Sequence, residues 1–72
     1  MEGSPVSAII VNGRAMPIPG GGCVADLVEA LGHAGKRIAV ELNGDIVPRG
    51  RYDDVALNAG DCIEIVIAVG GG

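Results

Sequence analysis

Few side chains in this 72-residue chain have the type and spacing to do chemistry. Its two cysteines, Cys23 and Cys62, are too few for a zinc or iron–sulfur centre built on four thiolates. No basic residue adjoins either thiol, so neither carries the mark of a reactive cysteine, and both are expected to be free and either structural or incidental. His33 has no second histidine with which to share a metal and is expected on the solvated surface just past a helix end. Gly20-Gly21-Gly22 precedes a helix, where anions gather. A phosphate-binding loop would continue with Lys and Ser or Thr, however, and here Cys23-Val24 follows, which leaves a plain connector.

The feature with chemical content lies at the other end, where a strand-like run leads directly into Gly70-Gly71-Gly72. Glycines carry no side chain to pack and keep wide backbone freedom, so this tail is expected to be flexible and extendable. A carboxylate on Gly72 is a poor acyl donor because oxide is a poor leaving group. Activation as an acyl-adenylate made from ATP would remove that obstacle. Gly70 and Gly71 could then thread a narrow channel and present the Gly72 acyl carbon inside another enzyme.

The elements that must position such a tail can be read from the periodicities. Val6 to Val11 is rich in β-branched residues and stops at Asn12-Gly13, a pair suited to a type I′ turn, and Arg14 to Ile18 returns. Val24, Leu27, Val28 and Leu31 then form one apolar stripe at helical spacing. Gly32 is placed to stop that helix, and Asp26 and Glu29 suit its positive end. Cys23 would be a weaker N-cap than Ser, Thr or Asp. Ile38 to Leu42 reads as a third strand ended by Asn43-Gly44-Asp45, followed by an irregular Ile46 to Arg49 with Pro48 at a sheet edge. Val55 to Leu57 bridges to a turn at 58–61. In the last strand, Cys62 to Val69, Ile63, Ile65, Ile67 and Val69 alternate with Cys62, Glu64, Val66 and Ala68. The isoleucine face is expected on the helix and the Glu64 and Val66 face outward, as a docking surface for partners.

This order predicts an α+β fold, a mixed sheet with one main helix across one face and the last strand parallel to the first: the β-grasp arrangement of ubiquitin. Residues 1–5 are expected to be a flexible extension, 6–69 the domain and 70–72 the tail.

Composition agrees. Apolar residues make up 49% of the chain, but there is no Phe, no Trp and one Tyr, so the core must be aliphatic. A domain this small is not expected to enclose a cofactor-sized pocket of about 300 Å³ or more, which argues against a self-sufficient enzyme or a bound cofactor. The net charge of −4 is the wrong sign for a nucleic-acid partner and suits docking on basic protein surfaces. With neither a signal segment nor an apolar run long enough to span a membrane, a cytoplasmic, reducing setting is expected.

Taken together, Ile9-Ile10-Val11-Asn12-Gly13, Val24-Ala25-Asp26-Leu27-Val28, the stretch from Val40 to Arg49, and the ending from Asn58 through Gly72 resemble the ThiS family, the sulfur carriers of thiamine biosynthesis. The resemblance implies that a ThiF-type, E1-like adenylating enzyme spends ATP on the Gly72 carboxylate. Sulfur from a protein persulfide would then give a thiocarboxylate, which a ThiG-type thiazole synthase receives. The small subunit of molybdopterin synthase and ubiquitin-like protein modifiers share the fold and the glycine end. The absence of Phe favours the thiamine branch.

Overall fold

The computed structural model describes residues 8–68. The expected extension 1–5, the first residues of the opening strand, Val69 and the tail 70–72 lie outside the described residues.

Two Asn-Gly pairs make the hairpins. At Asn12-Gly13 the φ angles are 50° and 84°, and at Asn43-Gly44 they are 52° and 92°, the paired positive values that a type I′ turn requires. The first joins β1 (Ala8–Val11) to β2 (Arg14–Pro17), and the second joins β3 (Ile38–Leu42) to β4 (Asp45–Val47). The expected irregular run after Asn43 is thus in part a strand, followed by a short 3-10 turn at Arg49–Arg51. With β5 (Cys62–Ile67) the sheet order is β2-β1-β5-β3-β4. The last strand lies in the middle, parallel to β1 and antiparallel to β3. Pro17 ends one edge strand and Pro48 follows the other, where a missing N–H interrupts no ladder.

Across one face lies α1 (Val24–Ala30), whose Val24, Leu27 and Val28 pack with Ile9, Val11, Val40, Val47, Leu57, Ile63 and Ile65 in an aliphatic core. The stripe continues to Leu31 in the sequence but not in the core. Leu31 caps the helix and is 37% exposed, because the chain turns away at Gly32 with φ 78°. That end is a Schellman motif: Gly32 N–H donates to Glu29 C=O at 3.0 Å and His33 N–H to Val28 C=O at 2.9 Å. Ile67 also departs from expectation, being 45% exposed. A seven-residue helix is about 10 Å long and cannot cover a six-residue strand of about 20 Å.

At the other helix end Asp26 supplies what Cys23 lacks. Its carboxylate accepts the Cys23 N–H at 3.1 Å and the Cys23 thiol at 2.9 Å. Gly21 makes room for this, since with φ 95° a Cβ there would collide with the Asp26 carboxylate. The thiol bond first, and then the N–H bond, hold the Asp26 pKa below its ordinary value of 3.8, against a smaller upward push from burial. A carboxylate depressed in the folded state stabilises the fold above the unfolded pKa and loses that contribution as pH falls through the folded value. Asp26→Asn is therefore expected to melt below the wild type at neutral pH, and the gap in melting temperature should close below about pH 3.8. A gap that persists unchanged in acid would show that the carboxylate charge plays no part.

Candidate functional site

The site is built around β5, the strand that leads toward the glycine tail. Along a strand the backbone groups face alternate neighbours. Cys62 C=O accepts from Asn43 N–H at 2.7 Å, and Ala68 N–H donates to Arg37 C=O at 2.9 Å, so residues 62, 64, 66 and 68 face β3. Residues 63, 65 and 67 therefore face β1. On that side Ile63 C=O accepts from Asn12 N–H at 2.9 Å. The Asn12 side chain then stands in for a further strand residue. Its Nδ2 donates to Ile65 C=O at 3.2 Å and its Oδ1 accepts from Ile65 N–H at 2.8 Å.

Asn43 does the same at the strand's start, where its Oδ1 accepts from Cys62 N–H at 2.9 Å and its Nδ2 donates to Asp61 Oδ1 at 3.0 Å. Asp61 in turn accepts from Asn58 N–H at 2.8 Å, closing the turn into β5. Sequence reasoning found Asn12 as a turn former and Asn43 as the end of a strand, and missed both as clamps on β5. The signal was available: an Asn at the first position of each turn carries an amide that can mimic a backbone pair.

The outward face is as expected at its two named residues, with Glu64 exposed and Val66 62% exposed. What the sequence did not give is the register. Glu41 lies directly opposite Glu64 on the same face, and Ile46 opposite Glu41. Like charges opposite each other are unfavourable. No described cation lies within ion-pair distance of either glutamate, the ion pair among the described residues being Arg51 Nε to Asp54 Oδ2 at 3.4 Å. Ile46 (63% exposed), Val66 and Ile10 make the rest of this face apolar.

The other candidates lie apart from it. Cys23 is half-buried at the helix start, and Cys62 is exposed near Glu64; both are free. His33 is half-buried and not the solvated residue expected, because the Schellman turn folds it back over the helix end and buries its Nδ1 without a hydrogen-bond partner. The described residues line open surface clefts. One of about 380 Å³ runs between the helix and Arg49 to Asp53, and another of about 520 Å³ lies between the first hairpin and Leu31. The first is lined by Asp26, Glu29, His33, Lys36, Tyr52 and Asp53, and no side-chain hydrogen bond joins any two of these among the described residues. No cluster of metal-binding side chains and no helix long and apolar enough to cross a membrane occur among the described residues. The expected reactive position, Gly72, with Gly70 and Gly71, lies outside the described residues.

Known proteins like this chain share both its sequence and its fold. A segment of the thiazole synthase of Paramagnetospirillum magneticum is 39% identical over 64 residues, covering 89% of this chain and 20% of that protein. The thiazole synthase of Magnetococcus marinus matches with the same identity and coverage. The chain thus spans about a fifth of the length of these curated relatives. Among solved structures, it is similar to the thiamine biosynthesis protein ThiS from Geobacter metallireducens, with a TM-score of 0.73 and 32% identity over 90% of this chain and 99% of that one. The ThiS family model matches residues 9–72, nearly the whole length and the glycine end with it, and the chain belongs to the ThiS family.

Proposed function

We propose that this chain is a sulfur carrier of thiamine biosynthesis that works through the carboxylate of Gly72. The observation that carries the reading is a central strand, clamped at Asn12 and Asn43, leading toward a glycine end within a ThiS-family match that runs to Gly72. A Gly72 carboxylate oxygen attacks the α-phosphorus of ATP in a ThiF-type adenylating enzyme, and pyrophosphate leaves. The outer sulfur of a protein persulfide then attacks the acyl carbon and AMP leaves. Cleavage of the remaining S–S bond by a thiol, in a reducing, cytoplasmic setting, frees the thiocarboxylate. A ThiG-type thiazole synthase takes the sulfur for the thiazole ring. The thiazole synthases that contain a segment like this chain support that partner.

On this reading the chain is a cosubstrate and not a catalyst. ATP is consumed by its partner, and no cofactor is held. The open face around Glu64 and Val66 seats the partner and keeps the tail aimed into its site.

Incubation with a ThiF-type enzyme, ATP and a persulfide donor should raise the intact mass by the difference between one sulfur and one oxygen, and fragmentation should place the change on Gly72. Glu64→Lys, still folded, should need more of the enzyme to reach the same yield. Sulfur found on Cys23 or Cys62 instead would overturn the proposal.

A further inference from the structure

Among the described residues, the β1-facing edge of β5 is closed as far as Ile65 and open beyond it. β1 ends at Val11, and its ladder is extended by one step only, through the Asn12 amide on Ile65. By the same alternation Ile67 turns its N–H and C=O to this side, where no described residue meets them. On the opposite side β5 remains paired with β3 as far as Ile38 opposite Ile67. Among the described residues the strand therefore ends with one edge held and the other bare, and the Ile67 side chain is 45% exposed beside it. Unpaired strand edges are templates for another strand.

What reaches this edge follows from length, on the reading that Gly72 reacts inside a partner. Gly72 is four residues beyond Ala68, and a fully extended chain spans at most about 3.6 Å per residue, or roughly 14 Å here. An enzyme whose site surrounds Gly72 must therefore bring its walls up to the end of β5. We propose that the adenylating enzyme lays an extended segment of its own along this edge, in the place β1 vacates, and pairs its backbone with the N–H and C=O of Ile67. Such pairing reads no side chain, and it fixes the direction in which the tail enters.

The test separates the backbone donor from the side chain. Replacing the amide nitrogen of Ile67 by an ester oxygen removes the N–H and keeps the isoleucine. Ile67→Pro removes the same donor, and the β3 ladder does not use it. Ile67→Ala keeps the donor and trims the side chain. In the thiolation assay with the ThiF-type enzyme, the ester and Ile67→Pro should each raise the enzyme concentration for half-maximal rate by about three- to tenfold, the range for one backbone hydrogen bond, and by more than Ile67→Ala does. Amide exchange on residues 62–66 confirms that the ester chain is folded. A folded ester chain that is thiolated at the wild-type enzyme concentration overturns the inference and leaves the carrier reading standing. A wild-type chain that takes up no sulfur overturns both.

Discussion

Truncating Leu27 to alanine is expected to destabilise the domain by about 2–5 kcal/mol, the range for a buried leucine whose cavity cannot collapse. Leu27 is fully buried at the centre of α1, against a sheet face whose Ile9, Val40 and Ile63 are equally enclosed. The fully buried neighbours are all aliphatic, and the aromatic ring that packs against them, Tyr52, lies half-buried at the margin of the core. At roughly 0.05–0.15 kcal/mol per residue, a domain of this size has a total stability on the order of 4–11 kcal/mol, so one side chain carries a large share of it. Urea unfolding should show the midpoint falling with little change in slope. Val66→Ala on the open face is the contrast, since a side chain 62% exposed loses little, within about 0.5 kcal/mol. A Leu27→Ala chain that unfolds near the wild-type midpoint would mean that the helix is not seated on the sheet as described.

How far the sequence foretold this depends on the kind of signal. The apolar stripe of Val24, Leu27 and Val28 and the alternation of Ile63 and Ile65 are periodicities set by burial, and both faces fell where the pattern put them. The positive-φ turn at Asn12-Gly13 was read from the chemistry of two residues. The same signal at Asn43-Gly44 was read as the end of a strand and not as a second hairpin, because only three residues follow before Pro48. Leu31 and Ile67 continue their patterns in sequence, yet they lie past the end of a short helix, and pattern alone cannot say where coverage stops. Cross-strand relations were out of reach. The opposition of Glu41 and Glu64, the Asn12 amide on Ile65 and the bare edge at Ile67 all follow from register, which no local window contains. The glycine end was read as chemistry from residue type and position alone, and it lies outside the described residues.

Adding one residue after Gly72 is expected to lower the rate of thiolation at least a hundredfold while leaving the melting temperature unchanged. The tail is short and the strand before it is clamped. Asn12 and Asn43 hold β5 on both sides, and β3 pairs with it as far as Ile67. On the proposed carrier reading, docking of the domain delivers the acyl carbon of Gly72 to one place. An extra residue moves the reacting carboxylate by up to about 3.6 Å, whereas a misplacement on the order of 1 Å can already cost 10²-fold. On that reading buckling would not compensate, because a partner channel narrow enough to favour glycine would have no room for a loop. Intact-mass analysis of a time course gives both rates, and the same residue added before Met1 should leave the rate at wild type. An extended chain that takes sulfur at its new end at the normal rate would show that the partner does not measure the distance from β5 to the carboxylate, and the positional role given to Gly72 would be wrong.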